Sequence, residues 1–231
     1  MKRFRYYILP RVCLVLSVLV LLFGLWVLWL SLGRPMPTRE LACRQAETAH
    51  FAPHGRTVAA GHVRFQHTEP HLDAWVLRRA GGRFSVVELN RTAGLLWSVV
   101  DLQSIPMEEE TLCVYQVDYA PVDTVVNGRI EFTGGEVAPL AICTHPEAAR
   151  VEVSVLWFGD WETDVYAALE ERGVTGELTD MGGGVWAGPA LFVPDAPKPE
   201  GLTSSGSTLY LFCRAYDAEG NLLAVCDPTA G

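Results

Sequence analysis

From Cys13 to Leu32 the chain reads CLVLSVLVLLFGLWVLWLSL, twenty residues without a charge. At 1.5 Å per residue such a run spans about 30 Å as a helix, the thickness of a bilayer's hydrocarbon core. Lipid leaves no other choice of structure, because every backbone polar group must be satisfied within the segment. Trp26 and Trp29 near one end and Tyr6 and Tyr7 beyond the other stand where interfacial aromatics stand. Lys2, Arg3, Arg5 and Arg11 precede the run, and all 27 acidic residues follow it. The positive-inside rule then places residues 1–12 in the cytoplasm as a short tail, residues 13–32 across the membrane, and everything from residue 33 outside. A cleaved signal peptide is the competing reading. Its apolar region is usually shorter, about 7 to 15 residues, and Leu30-Ser31-Leu32-Gly33 is a poor cleavage site. An uncleaved anchor in the cell membrane is the expectation.

Setting aside those four basic residues leaves 14 against 27 acidic ones, about −13 for the exterior. Such a surface repels phosphate backbones, so a nucleic-acid partner is excluded, and the anchor disfavours a soluble cytosolic enzyme.

Pro35 and Pro37 stop the membrane helix, and Thr38 is placed to cap a short helix running to about Phe51. Leu41, Ala42, Ala46 and Ala49 are expected on its inner face. Residues 33–55 thus form a linker with a helix, closed by Pro53 and Gly55. Beyond them the hydrophobic period changes to two. DAWVLRRA and RFSVVELN, joined by Gly81-Gly82, read as a hairpin. LLWSVVDLQ follows the turn at Gly94, and TLCVYQVDYA follows Glu108, Glu109 and Glu110. Asn127-Gly128 is the strongest hairpin turn in the chain, both residues tolerating positive φ. These elements make residues 56–133 a β-rich domain. A second segment, residues 134–231, contains EVAPLAIC, RVEVSVLWF, GVWAGPALFV, STLYLFCRAYD and NLLAVCD, five strand candidates at ordinary spacing for a β-sandwich. DVYAALEER, ended by Gly173, has helix-forming residues and is read as a short helix although it sits among strands. PDAPKPEGLTSSGS, residues 194–207, is expected to be a loop.

The pattern Arg214-Ala215-Tyr216-Asp217-Ala218-Glu219-Gly220-Asn221-Leu222-Leu223 resembles the terminal hairpin of bacterial immunoglobulin-like modules. With its anchor, short helix and β-rich exterior, the whole chain is similar to membrane-anchored ectodomain proteins of Gram-positive bacteria. The resemblance covers residues 134–227 and implies an Ig-like sandwich there. It brings no catalytic motif.

Five of six histidines, His50, His54, His62, His67 and His71, fall within 22 residues. Pro53 and Pro70 interrupt both i,i+4 pairs, so neither makes the one-face helical pair of a zinc site, and no metal is expected. Trp157, Asp160, Trp161 and Glu162, in the run WFGDWETD, place indoles beside carboxylates. That mixture suits sugar stacking and acid–base hydrolysis; it also suits a strand end followed by an acidic loop. No G-x-S-x-G, P-loop or G-x-G-x-x-G is present, and Gly182–Gly184 reads as a turn. Cys213 and Cys226 flank the last hairpin and are candidates for a disulfide; Cys113 and Cys143 are a second pairing that would join the two halves. Asn90-Arg91-Thr92 is a formal glycosylation sequon, idle in a bacterium.

The expectation is a mainly β, non-enzymatic, single-pass protein with an extracytoplasmic binding or structural module. Its partners are the bilayer, through residues 13–32, and a protein or glycan. No catalytic, cofactor-binding or metal-binding residue is assigned. Two alternatives are a glycan-active enzyme built on Trp157–Glu162 and an envelope sensor or regulator.

Overall fold

A computed structural model describes residues 2–105, 111–126, 129–197 and 206–228. The chain opens with helix α1 (Lys2–Ser31), and among the described residues it alone is long and apolar enough to cross a membrane. Helix α2 (Arg39–Ala49) follows, with the Thr38 side chain accepting from the Leu41 N–H at 3.3 Å as the expected N-cap. Its inner face differs from expectation. Ala42, Cys43, Ala46 and Glu47 are buried, whereas Leu41 and Ala49 face outward. The helix is rotated because Glu47 is drawn inside by a buried arginine.

The remainder is mainly β, and every strand pairing is antiparallel. Strands β1 (Arg56–Gly61), β2 (Ala74–Ala80), β3 (Arg83–Thr92) and β4 (Leu96–Ile105) form a sheet in sequence order. The Gly81-Gly82 hairpin is formed as expected, Ala80 pairing with Arg83. β5 (Leu112–Val126) and β6 (Arg129–Cys143) are one long hairpin. Their intervening Asn127-Gly128 lies outside the described residues, as do Glu108, Glu109, Glu110 and most of the loop after Pro197. β6 carries β10 (Leu191–Pro194) and β9 (Val185–Ala187) on its other edge. β9 then leads through β8 (Val174–Gly182) to β7 (Arg150–Gly159), β11 (Ser207–Tyr216) and β12 (Leu222–Cys226). GVWAGPALFV is thus two short strands rather than one, since Gly188-Pro189 interrupts the ladder. DVYAALEER forms helix α3 (Val165–Arg172), capped by the Asp164 carboxylate.

β8 turns the second sheet back on itself. Val174–Leu178 pair with β7, while Thr179–Gly182 pair with β9. Three apolar interfaces result, and alternation along each strand explains them. Ala74 and Val76 of β2 meet Ala42, Cys43 and Ala46 of α2. Trp75 and Leu77, on the opposite face, meet Leu140 and Ile142 of β6. The other face of β6, through Val137 and Ala141, meets Val151, Val153, Val155 and Trp157 of β7 and Cys213 of β11. β6 therefore serves two cores at once. The boundary expected between residues 133 and 134 falls inside this strand.

Candidate functional site

The residues singled out by sequence are built into the fold one by one. Trp157 continues the Val151, Val153, Val155 stripe and is 9% exposed. Tyr119 and Phe132 present ring edges to it, with centroids 5.5 and 5.8 Å away. Its indole N–H is buried without an acceptor. Beyond the strand end, the Trp161 indole lies over Gly159, where a Cβ would come within 2.4 Å of the ring, and its N–H donates to the Pro197 carbonyl at 3.1 Å. Asp160 accepts from the Gly206 N–H at 3.1 Å. Glu162 accepts from the Gly159 N–H at 2.7 Å and from Arg172 of α3 at 2.6 Å. Asp160, Trp161 and Glu162 thus fasten the strand end to the loop at residues 197 and 206 and to α3, and Trp157 lies in the core.

The histidine-rich stretch yields a different arrangement. Glu136 lies on the same side of β6 as Ala138, Leu140 and Ile142, yet is only 1% exposed. A buried carboxylate survives only with donors around it, and residues 66–68 wrap it. The N–H groups of Gln66, His67 and Thr68 donate at 2.7, 2.9 and 3.2 Å, and the Thr68 hydroxyl donates at 3.3 Å. The His67 Nδ1 lies 3.2 Å away. Burial alone would push the Glu136 carboxyl up; these donors outweigh it and hold the group below the usual carboxylate range. Asp118 on β5 also accepts main-chain donors further along, the N–H groups of His71 and Leu72 at 2.9 and 3.2 Å. The connection between β1 and β2 is therefore nailed at two points to the β5–β6 hairpin.

Residues 62–66 of the same connection, which run into the fastened stretch at Gln66, make one wall of a cleft with mixed polar and apolar lining. The cleft is about 340 Å³, with Val63, Phe65, Trp75, Val117, Pro139 and Pro189 among its lining residues and Arg64 and Gln66 contributing polar groups. That volume lies in the range of small-ligand and side-chain sites. Trp75 is fixed beneath it by Gly61, where a Cβ would sit 2.6 Å from the indole.

A second buried charge holds α2 in place. Arg78, 1% exposed, donates to Glu47 at 2.9 Å, to Glu40 and to Thr57 at 3.0 Å. Burial works against the guanidinium's charge, but Glu47 and Glu40 raise its pKa. The Arg78 hydrogen bond is the largest influence lowering Glu40, and in Glu47 burial is outweighed by Arg78, the Gly55 N–H and His54.

Sequence reasoning missed both buried clusters. The signals were present: Glu136 heads the stripe continued by Ala138, Leu140 and Ile142, and Arg78 continues the face bearing Ala74 and Val76. Among the described residues no group of His, Cys, Asp and Glu is arranged to hold a metal ion. The register sets Cys213 directly opposite Cys226. No family profile, no curated protein and no solved structure matches this chain.

Proposed function

We propose that this protein is a non-enzymatic, single-pass, extracytoplasmic binding module: α1 anchors it with the amino terminus inside, and the cleft beside residues 62–66 receives a partner. The observation that carries the reading is that the connection forming the wall, residues 62–66, is fastened from Gln66 onward. Two buried carboxylates collect backbone N–H groups from one irregular connection, which fixes its shape without adding a strand or helix. Preorganising a wall in this way lowers the entropy lost on binding. The Val63, Phe65 and Trp75 lining suits an apolar side chain, and Arg64 suits an acidic neighbour of it, so a protein segment with that pattern is the favoured partner. At Trp157–Glu162 the indoles and carboxylates already serve the fold, which weighs against the glycan-active alternative. The Ig-like architecture suggested for residues 134–227 is retained in this proposal, with β5 drawn into the same sandwich.

Panning a random peptide library against the full chain in lipid nanodiscs tests the reading. Peptides pairing an apolar residue with an acidic one should be enriched. Ala190→Trp, which fills the cleft, and Arg64→Glu should each abolish that enrichment. Enrichment indifferent to both substitutions would contradict the cleft assignment, and binding on a glycan array in its place would favour the other partner class.

A further inference from the structure

The linker between α1 and α2 is short and is tied at both ends. The Trp29 indole donates to the Pro35 carbonyl at 3.1 Å. One residue later Met36 and Trp97 exchange both backbone hydrogen bonds, at 2.8 and 2.7 Å, extending the free edge of β4. The start of β4 is thus held close to the end of the apolar helix. Around that point the surface has a distinct chemistry. Trp97 is covered by Arg39 and Arg91, whose guanidinium carbons lie 4.5 and 5.0 Å from its ring. Arg34, five residues before Arg39 and two before Met36, is exposed. Arg64 and His62 line the same surface depression as Arg91. Asp73 also lines it, accepting from the Arg91 N–H, and Glu40 of α2 is already engaged by Arg44 and Arg78. Ahead of Trp97, the β3–β4 turn projects Leu95, which is 82% exposed.

We infer that this face is a second membrane contact: Leu95 enters the interfacial layer of the membrane that α1 spans, and Arg34, Arg39 and Arg91 bind the phosphate groups of its anionic phospholipids. The inference rests on the proposed bilayer span. Its grounds are continuity with that span and charge complementarity, since basic side chains gather here on an exterior whose net charge, these arginines included, is about −13. Membrane-surface binding scales with buried apolar area plus electrostatic attraction to anionic lipids, and the exposed Leu95 and the nearby arginines supply one of each. Such a contact fixes the tilt of the exterior and hence the direction in which the cleft faces.

The test uses the full chain in nanodiscs of phosphatidylcholine alone and of phosphatidylcholine with phosphatidylglycerol, followed by amide hydrogen exchange. Amides at residues 91–97 should exchange about fivefold or more slowly in the anionic discs, about the effect of one engaged arginine. Raising the salt to 0.5 M should remove the difference through screening. Leu95→Ser, at an exposed turn position, should reduce the protection without altering exchange in β6. A paired Arg39→Glu, Arg91→Glu substitution should abolish the dependence on lipid. Equal exchange in both discs, from a chain that still co-elutes with the disc, would overturn the second contact and leave the anchor standing. A chain that separates from the disc would overturn both.

Discussion

Trp157 carries two opposing contributions, a large buried ring and a buried N–H with no acceptor. Truncation to Ala removes the ring from between Tyr119, Phe132 and the β7 stripe, and should cost about 3–5 kcal/mol. Phe at the same position keeps most of the packing and deletes a donor whose desolvation costs about 1–3 kcal/mol. Trp157→Phe should therefore lie within about 1 kcal/mol of the parent. Denaturant unfolding of the full chain in detergent, read on both variants, checks the pair of values; equal, large losses would mean that the N–H is not an energetic burden. Glu47 presents the opposite case. Removing it by Glu47→Ala leaves Arg78 buried with fewer partners, for an expected loss of about 3–5 kcal/mol. The same unfolding measurement applies, and a loss below about 1 kcal/mol would contradict the network.

Glu136 adds a pH dependence. Its pKa is lower in the folded state than in the unfolded chain, where Glu titrates near about 4.3. The stabilisation it supplies is complete above that unfolded value and disappears as pH falls through the lower folded one. Glu136→Gln should be markedly less stable than the parent at pH 7, and the gap should narrow as the pH is taken below about 4. A gap independent of pH would show that the carboxylate's charge does not hold residues 66–68.

At the scale of elements, β2, β3 and the 81–82 turn were legible because alternation and paired glycines carry local instructions. Helix α2 was legible from Thr38 and Pro53, but its rotation was not. An apolar count favours Leu41 inside, and only the position of Arg78 in the tertiary structure brings Glu47 inward. β8 escaped notice because VTGELTDMG is mostly outward-facing, with Leu178 its one buried side chain. The division into two β segments overlooked the double duty of β6: when both faces of a strand are buried, period two no longer distinguishes core from solvent. The candidate site lay in residues weighed for metal binding, whose main-chain N–H groups turned out to do the work, and backbone donors leave little trace in a sequence.

The terminal hairpin makes its own prediction. Cys213 and Cys226 are direct cross-strand partners, and burial pushes the Cys213 thiol up, so the folded protein presents little thiolate there. Bridging should occur during folding in an oxidising exterior and only slowly afterwards. Non-reducing peptide mapping of membrane-extracted protein should recover Cys213 joined to Cys226. Free thiols at both positions, or Cys213 joined to Cys113 or Cys143, would contradict this pairing.

For the whole molecule, three apolar interfaces stack α2, the β1–β4 sheet, the β5–β6 hairpin and the β7–β11–β12 layer. The chain was readable as a mainly β exterior behind an apolar helix; the order of layers was not, because it depends on pairings such as Leu140 with Ala187 and Val137 with Leu191. The proposed roles of the cleft and of the Leu95 face require α1 to hold this stack on the outer side of a membrane. Protease applied to intact cells expressing the chain with a different epitope at each terminus tests that directly. Digestion should remove the carboxy-terminal epitope and spare the amino-terminal one on a membrane-bound fragment. A carboxy-terminal epitope protected until the cells are lysed, or an amino-terminal epitope missing from the membrane fraction before any protease is added, would contradict the account.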